Sequence, residues 1–445
     1  MKTLKDRVKS IEPLMLILRA FRYRNYRLFF GGQSISLVGT WMQQIAMSWL
    51  VFKMTGSVFL LGVVGFASQL PVSILVPFAG VLADRWDRYR ILIATQTLAM
   101  AQAIAVYVLV ATGRIEVWQI IALSVLLGIV NAFDVPARQA FVFDLVEKRQ
   151  DLGNAIALNS LIFNAARLIG PSIAGMMIAI SGEKTCFLVN ALSYSVVIIA
   201  LFAMRIVPRK SVKHASHIMH GLKEGVAYAL RSVPIRSILL ILGLISIAGV
   251  PYAVLMPAVA TEILGGGPQV FGFLVAASGL GALIGALYLA SRRTIIGFSS
   301  TVTLATGLFG VGLFFFSLSR VLVISLVLML VVGLSMMVQI ASSNTILQTI
   351  VDDDKRGRVM SFYTMAFLGT APFGSLLAGG LASRIGVSCT LMIGGIACVA
   401  GSAFFAIKLP SLRKAMHPIY ARMGIITEVS TGIQSATELI RPPED

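Results

Sequence analysis

The residue whose chemistry stands out in this sequence is an arginine inside a long apolar run. Arg167 lies twelve residues after Ala155, where the run begins, and no other charge occurs between them. An unpaired cation at that depth is costly, so a partner has to satisfy it. Two interpretations remain open: an anionic group of a ligand, or hydrogen bonds to backbone carbonyls and to Asn164, Gln43 or Gln339.

Carboxylates, which commonly carry protons inside membranes, are scarce in the apolar runs. Of the 19 Asp and Glu residues, only Asp134 and Glu262 fall within a run, each near its end. No carboxylate is therefore expected near the middle of a bilayer. If protons are moved by this protein, Asp134 or Asp84 must take part.

The first apolar run carries a polar stripe at helical spacing. Gln33, Ser36, Thr40 and then Gln43 or Gln44 recur every three or four residues, which places them on one helical face. Such a face would line a polar cavity, because contact with lipid would penalise it. Further polar residues that could complete this cavity are Asn131, Asn159, Asn164, Arg167, Gln339, Ser343 and Thr364. Hydrogen bonding between helices is the alternative for each residue taken singly.

The elements that must position these side chains are long apolar helices. The 445 residues are 57% hydrophobic and only 13% charged, too little charge to cover a soluble protein of this size. Runs of about 20 apolar residues span a bilayer as helices, since a helix satisfies its own backbone. Twelve such runs are predicted, near 28–52, 58–83, 91–112, 117–137, 155–180, 186–207, 237–262, 269–291, 295–318, 321–345, 359–383 and 388–409.

The sequence thus predicts an all-α membrane protein of twelve transmembrane helices in two six-helix halves. The expected organisation is a basic N-terminal arm (1–27), a first half (28–207), a central loop (208–236), a second half (237–409) and a tail (410–445). Paired halves with Gly/Pro-interrupted spans at matching positions, here Gly170-Pro171 and Ala371-Pro372, are typical of alternating-access transporters.

Basic residues set the orientation. With the N-terminus in the cytoplasm, 31 of the 37 Lys and Arg residues lie in cytoplasmic segments, five lie opposite and one is Arg167. This bias predicts that both termini are cytoplasmic, in a bacterial inner membrane. The net charge of +18 is spread over short loops, so a lipid bilayer is the expected partner and nucleic acid is not.

No cofactor, metal site or enzymatic activity is expected. The apolar runs hold no pairing of a nucleophile with a histidine, and the phosphate-binding Gly-x-x-x-x-Gly-Lys loop does not occur.

A short motif between the second and third runs narrows the class of transporter. Residues 80–90 read Gly-Val-Leu-Ala-Asp-Arg-Trp-Asp-Arg-Tyr-Arg, which resembles the Gly-x-x-x-Asp-Arg-x-Gly-Arg-Arg signature of the major facilitator superfamily. The resemblance implies a cytoplasmic latch formed by Gly80, Asp84, Arg85, Arg88 and Asp134. In it, Asp84 would accept from Arg88 and face the start of the eleventh span near 358–362, and the latch would hold the outward-open state. Asp87 and Tyr89 depart from the signature.

Three further segments resemble the branch that holds enterobactin exporters and macrolide-efflux proteins. They are residues 21–27, residues 131–139, and a Gly170-Pro171 step that would permit a helix bend. The resemblance covers nearly the whole chain up to Pro410. It implies a secondary exporter of a small amphipathic molecule, siderophore-like or drug-like, which Arg167 would favour in anionic form. The alternative is a lysophospholipid or other lipid flippase of the same fold.

The orientation makes a direct prediction for cysteine labelling in intact cells. In a cysteine-free background, Lys184→Cys should react with a membrane-impermeant maleimide, and Arg209→Cys should react only after permeabilisation. Equal reactivity of the two variants in intact cells would refute the predicted topology.

Overall fold

The computed structural model describes residues 19–206, 228–229, 231–292 and 294–422. Within these ranges it leaves undescribed the side chains of residues 77, 80–85, 149, 353–354 and 422.

The described part of the chain contains twelve long helices, as the apolar runs predict. They are α1 (Arg24–Thr55), α2 (Val58–Arg85), α3 (Arg88–Ala111), α4 (Val117–Leu145), α5 (Arg149–Ser181), α6 (Glu183–Ala203), α7 (Val233–Ile263), α8 (Pro268–Ser291), α9 (Phe298–Leu318), α10 (Leu322–Ile350), α11 (Asp353–Thr364, Met365–Gly369 and Ala371–Ile385) and α12 (Val387–Arg422). All twelve contain a window long and apolar enough to span a bilayer. The predicted fold class is confirmed.

Two helices run well beyond their predicted ends. α4 continues through Pro136 to Leu145, and α12 continues through Pro410 to Arg422. Proline is tolerated inside a transmembrane helix because neighbouring helices satisfy the freed carbonyl. The first twelve residues after Pro410, at the start of the predicted tail, thus continue the last helix.

Helices α1–α6 form one half and α7–α12 form the other. The two ends of the bundle differ in charge. The basic end carries the start of α1 at Arg24, the end of α2 at Arg85 and the start of α5 at Arg149. The opposite end carries Lys53, whose Nζ lies 2.9 Å from Oε1 of the buried Glu183.

The most extensive contacts between the two halves run along two pairs of helices, where small residues allow a close approach. Where α2 meets α11, a Cβ on Gly379 would lie 2.8 Å from Gly62 Cα. Where α5 meets α8, a Cβ on Gly175 would lie 3.1 Å from Gly272 Cα. All four glycines lie towards the opposite end of their helices, so the backbones of the two halves approach closely there.

Two helices of the second half leave the α-helical pattern. α7 is π-helical over Ile245–Gly249 and α11 over Met365–Gly369. Each segment is followed within a few residues by a proline, Pro251 or Pro372. The two segments lie against each other, because Ser246 Oγ donates to the Phe367 carbonyl at 2.5 Å. That bond satisfies an acceptor that the altered helix leaves free.

The glycine contact between α2 and α11 makes a testable prediction. Gly379→Val should push the halves apart and destabilise the protein by about 1–3 kcal/mol, the usual cost of overpacking. The measurement is the midpoint of thermal unfolding of detergent-purified protein. Gly380→Val is the matched control, because a Cβ there meets nothing within 4 Å. Equal midpoints for the two variants would contradict the contact.

Candidate functional site

The most polar site inside the bundle surrounds Asp134 on α4. The carboxylate is 5% exposed, and its Oδ1 accepts hydrogen bonds from Thr95 Oγ1 at 2.9 Å and Gln96 Nε2 at 2.8 Å. Its Oδ2 lies 3.4 Å from Arg138 Nε, one helical turn away. Arg138 also donates to Gln33 Oε1 on α1 at 3.3 Å. Helices α1, α3 and α4 are thus joined by one charged network.

A small cavity of about 40 Å³ adjoins this network inside the first half. It is lined by Gln33, Ser36, Leu37, Thr40, Gln96, Ala99, Val130, Asn131, Asp134, Arg138 and Tyr194. Four residues of the predicted substrate cavity are therefore brought together here: Gln33, Ser36, Thr40 and Asn131. The volume holds roughly two or three waters and is too small for a drug-sized molecule.

The depth of Asp134 differs from the prediction. Because α4 extends to Leu145, Asp134 lies only three residues from the central residue, Asn131, and roughly 16 Å from the nearer end of the helix. Asp134 therefore lies nearer the middle of its helix than the apolar run predicts. The apolar run stops before Arg138, and this break hid the continuation of the helix.

The predicted polar stripe of α1 divides into two parts with different surroundings. Gln43 is buried and lies outside the cavity, where its Nε2 donates to Gln102 Oε1 at 2.8 Å and its Oε1 accepts from Asn190 Nδ2 at 2.7 Å. This amide network joins α1, α3 and α6. Gln44 is exposed, on another face of the helix.

Arg167 lies near the middle of α5, fourteen residues from Ser181. Its guanidinium carbon is 6.0 Å from the centre of the Trp41 ring. The Arg167 carbonyl adjoins the second half, because a Cβ on Gly279 would lie 2.9 Å from that oxygen. Within the described part of the chain, no carboxylate or hydrogen-bond acceptor pairs with the Arg167 side chain.

Its expected hydrogen-bond partners are engaged elsewhere. Asn164 Nδ2 donates to the Ser160 carbonyl of its own helix at 2.8 Å. Gln43 belongs to the amide network on α1. Asn159 is half-buried on the same helix as Asn164.

The predicted cavity residues of the second half lie on α10 and α11. Gln339 and Ser343 are fully buried, and Gln339 Nε2 donates to Ser343 Oγ at 3.3 Å. Thr364 is half-buried and donates to the Met360 carbonyl at 3.0 Å. None of these three residues lines the cavity beside Asp134.

The latch residues lie at the basic end of α2 and at the start of α3. Gly80, Asp84 and Arg85 belong to the last turns of α2, and their side chains lie outside the described residues. Arg88 Nη1 contacts Asp144 Oδ2 at 3.1 Å. The structure does not bring Asp134 to Arg88, because it lies ten residues before Asp144, roughly 15 Å along the same helix.

The Gly170-Pro171 step serves a close approach of helices. α5 runs as one continuous helix through Pro171. A Cβ on Gly170 would lie 2.6 Å from Trp41 Cβ, so only glycine admits α1 at this distance. The helical pattern breaks instead in α11, before Pro372.

Several residues of the charged network were not predicted as part of a site. They are Arg138, Thr95 and Gln96. Tyr194, which lines the adjoining cavity, and Asp144, the partner of Arg88, were also not predicted. The spacing of four between Asp134 and Arg138 was the available signal, because residues at that spacing are neighbours on a helix. Thr95, Gln96 and Tyr194 reach the site through tertiary packing, which no spacing in the sequence reveals.

Solved transporters share this architecture. A mutant of the peptide transporter POT in complex with alafosfalin matches with a TM-score of 0.69 at 12% identity, covering 88% of this chain and 95% of that one. A bacterial homologue of the human lysosomal transporter Spinster, in an inward-facing and unoccupied conformation, matches with a TM-score of 0.65 at 13% identity, covering 89% and 97%. This chain has the fold of these transporters.

The sequence match is more specific. Residues 17–424 match the family model of transmembrane secretion effectors, and the chain belongs to that family. The staphyloferrin A transporter of Staphylococcus aureus is 29% identical over 85% of this chain and 95% of its own length. The multidrug efflux pump Tap of Mycobacterium tuberculosis is 29% identical over 85% and 92%, and macrolide efflux protein A of Streptococcus pyogenes is 23% identical over 85% and 96%. These matches confirm the prediction that the chain is a multi-pass bacterial membrane protein that exports small molecules.

The amide network around Gln43 yields a stability prediction. Gln43→Leu removes the hydrogen-bond partner of the Gln102 and Asn190 amides. Because these amides are buried, the free energy of unfolding should fall by about 1–3 kcal/mol. The midpoint of thermal unfolding of purified protein measures the loss. Gln44→Leu, on the exposed face of the same helix, should leave the midpoint unchanged. A Gln43→Leu protein as stable as the Gln44→Leu protein would show that the network adds nothing.

Proposed function

We propose that this protein exports a small amphipathic molecule with an anionic group from the cytoplasm, by alternating access and without covalent chemistry. The basic end of the bundle is cytoplasmic and both termini lie there, as the 31 basic residues in those segments favour. The relatives named for staphyloferrin A and for drug efflux support a substrate in this range.

The relative position of the halves suits the loading step of an exporter. The glycine contacts bring the two halves together at the opposite end of the bundle. A substrate would therefore enter from the cytoplasm in this conformation. Export requires a second conformation that is closed at the basic end, in which the latch residues on α2 would meet the start of α11.

Arg167 is the single observation that carries the proposed substrate class. It is a cation near the middle of the membrane, where the two halves meet, and no anion within the described residues balances it. A guanidinium in this position gains most from an anionic group, and the neighbouring Trp41 ring offers an apolar surface beside it. Together they suit a molecule with one charged and one apolar part.

The test is export of a panel of compounds from cells. Staphyloferrin A, a macrolide and a lysophospholipid are compared in cells that carry wild type, Arg167→Gln or Arg167→Lys. Arg167→Gln should reduce export of an anionic substrate about tenfold or more, because the binding free energy of one charged hydrogen bond is lost. Arg167→Lys keeps the positive charge and should retain part of the export. Arg114→Gln, an exposed arginine outside the helices, is the matched control.

The outcomes separate the candidates. If Arg167→Gln reduces export of an anionic siderophore, the proposal is supported. If the lysophospholipid is the one compound of the three that is moved, the flippase is favoured. Equal export of every anionic compound by wild type and Arg167→Gln would remove Arg167 from the substrate site.

A further inference from the structure

We propose that the second half carries a binding pocket for a small zwitterion, a group that joins an ammonium to an anion, at the end of the bundle opposite the basic end. In this pocket Glu262 binds the ammonium and Arg320 binds the anion. The position of the pocket on the outer face of the membrane rests on the proposed orientation, whereas the binding itself does not.

The pocket has a volume of about 270 Å³ and lies where three parts of the second half meet. Glu262 stands next to the last residue of α7, Arg320 lies in the turn between α9 and α10, and residues 385–389 connect α11 to α12. The volume is just below the range of roughly 300–1,000 Å³ that is usual for drug-sized ligands. The pocket therefore suits a group of a few heavy atoms.

Two opposite charges line this pocket without pairing with each other. Arg320 Nη1 contacts the neutral Ser388 Oγ at 3.4 Å, and no carboxylate of the described residues forms an ion pair with this arginine. Glu262 likewise has no cationic partner in the part of the chain that the structure describes. Both residues are exposed, so water satisfies the two charges until a ligand replaces it.

This arrangement selects a ligand that carries both charges. A simple anion beside Arg320 would also meet the Glu262 carboxylate, and a simple cation beside Glu262 would also meet the guanidinium, so each of them meets a like charge. A zwitterion gains an attractive contact at both walls. Hydrogen bonds that involve a charged group are roughly twice as strong as neutral ones, which favours a ligand that makes two of them.

The start of α12 adds donors to the side of the pocket that binds the anion. The first bond of this helix runs from the Thr390 N–H to the Gly386 carbonyl at 3.2 Å. The backbone N–H groups of residues 387–389 therefore have no acceptor in their own helix. Such groups attract anions, and here they stand beside the guanidinium of Arg320. A side chain and a backbone thus contribute to the same anion subsite.

Two sources offer this chemistry at a membrane surface. One is a phospholipid headgroup that bears an ammonium and a phosphate, as in phosphatidylethanolamine, and the other is a free amino acid. Ile263 and Ile385 also line the pocket and provide an apolar contact for the short chain that joins the two charges. The ammonium–anion pair is common to both sources, so binding measurements have to separate them.

A natural cysteine reports whether the pocket is occupied. Cys389 is exposed and lines the pocket, whereas Cys186 and Cys398, the other two cysteines of the chain, are buried. A maleimide should therefore react with the wild-type protein at Cys389. A ligand in the pocket shields this thiol, so the labelling rate should fall as the pocket fills.

The first measurement is the rate of maleimide labelling of detergent-purified protein with and without phosphoethanolamine. A ligand at ten times its dissociation constant leaves about one site in eleven free, so the rate should fall about tenfold. Glu262→Gln and Arg320→Gln should each abolish this protection, because each removes one charged partner. Arg384→Gln, an exposed arginine at the same end of the bundle but outside the pocket, is the matched control and should keep the protection. Cys389→Ser gives the background rate of the two buried cysteines.

The comparison within each variant decides the proposal, since the ratio of the two rates is independent of any change in the thiol itself. Equal rates with and without phosphoethanolamine in wild type would overturn the pocket as a binding site. Inorganic phosphate and ethanolamine each carry one of the two charges, so both should protect Cys389 less than phosphoethanolamine does. Equal protection by either of them would overturn the assignment to a zwitterion.

Lipid nanodiscs and glycine then identify the source. If a headgroup occupies the pocket, Cys389 should be labelled more slowly in phosphatidylethanolamine than in phosphatidylglycerol, and glycine should leave both rates unchanged. If a free amino acid occupies it, glycine should slow labelling in both lipids. The absence of both effects would overturn the proposal.

Labelling of intact cells with a membrane-impermeant maleimide tests the outward position of the pocket. Cys389 should react without permeabilisation. If it reacts only after permeabilisation, the proposed orientation and the outward position fail together, and the measurements on purified protein still decide whether the pocket binds a zwitterion.

Discussion

A polar group inside a bilayer has no bulk water to satisfy it, and this constraint governs the whole molecule. It forces the backbone into helices, and it forces polar side chains to find partners within the bundle. The amides of Gln43, Gln102 and Asn190 pair with one another, and Asp134 gathers Thr95, Gln96 and Arg138. Arg167 is an exception, because its side chain has no hydrogen-bond acceptor or carboxylate partner among the described residues.

The same constraint explains how the two halves meet. Apolar side chains gain nothing from leaving lipid for another apolar surface, so contact between the halves depends on close packing. Glycines supply it on both sides of the interface, at Gly62 with Gly379 and at Gly175 with Gly272. Such contacts involve no large interlocking side chains, which suits an interface that must open.

Features that depend on local composition could be predicted from the sequence. Twelve apolar runs identified the twelve long helices of the described residues, and residues 80–90 pointed to the superfamily. Spacing also placed Gln33, Ser36 and Thr40 on one face, and the structure brings them to one cavity. The end of α4 was not predicted, because the charges of Asp134 and Arg138 ended the apolar run, although the helix continues to Leu145. Partners from other helices, such as Gln96 and Tyr194, have no signature in sequence spacing.

The π-helical segments of α7 and α11 have a geometric consequence for these two helices. One extra residue in a turn rotates everything beyond it by about 100° around the helix axis. The face that α11 presents before Met365 is therefore not the face it presents after Gly369. Thr364 and Ser375 are eleven residues apart, close to three full turns, so a regular α-helix would place them on the same face. In α11 the π-helical segment lies between them, so they face different neighbours. The inserted residue thus allows one continuous helix to pack with different faces along its two parts.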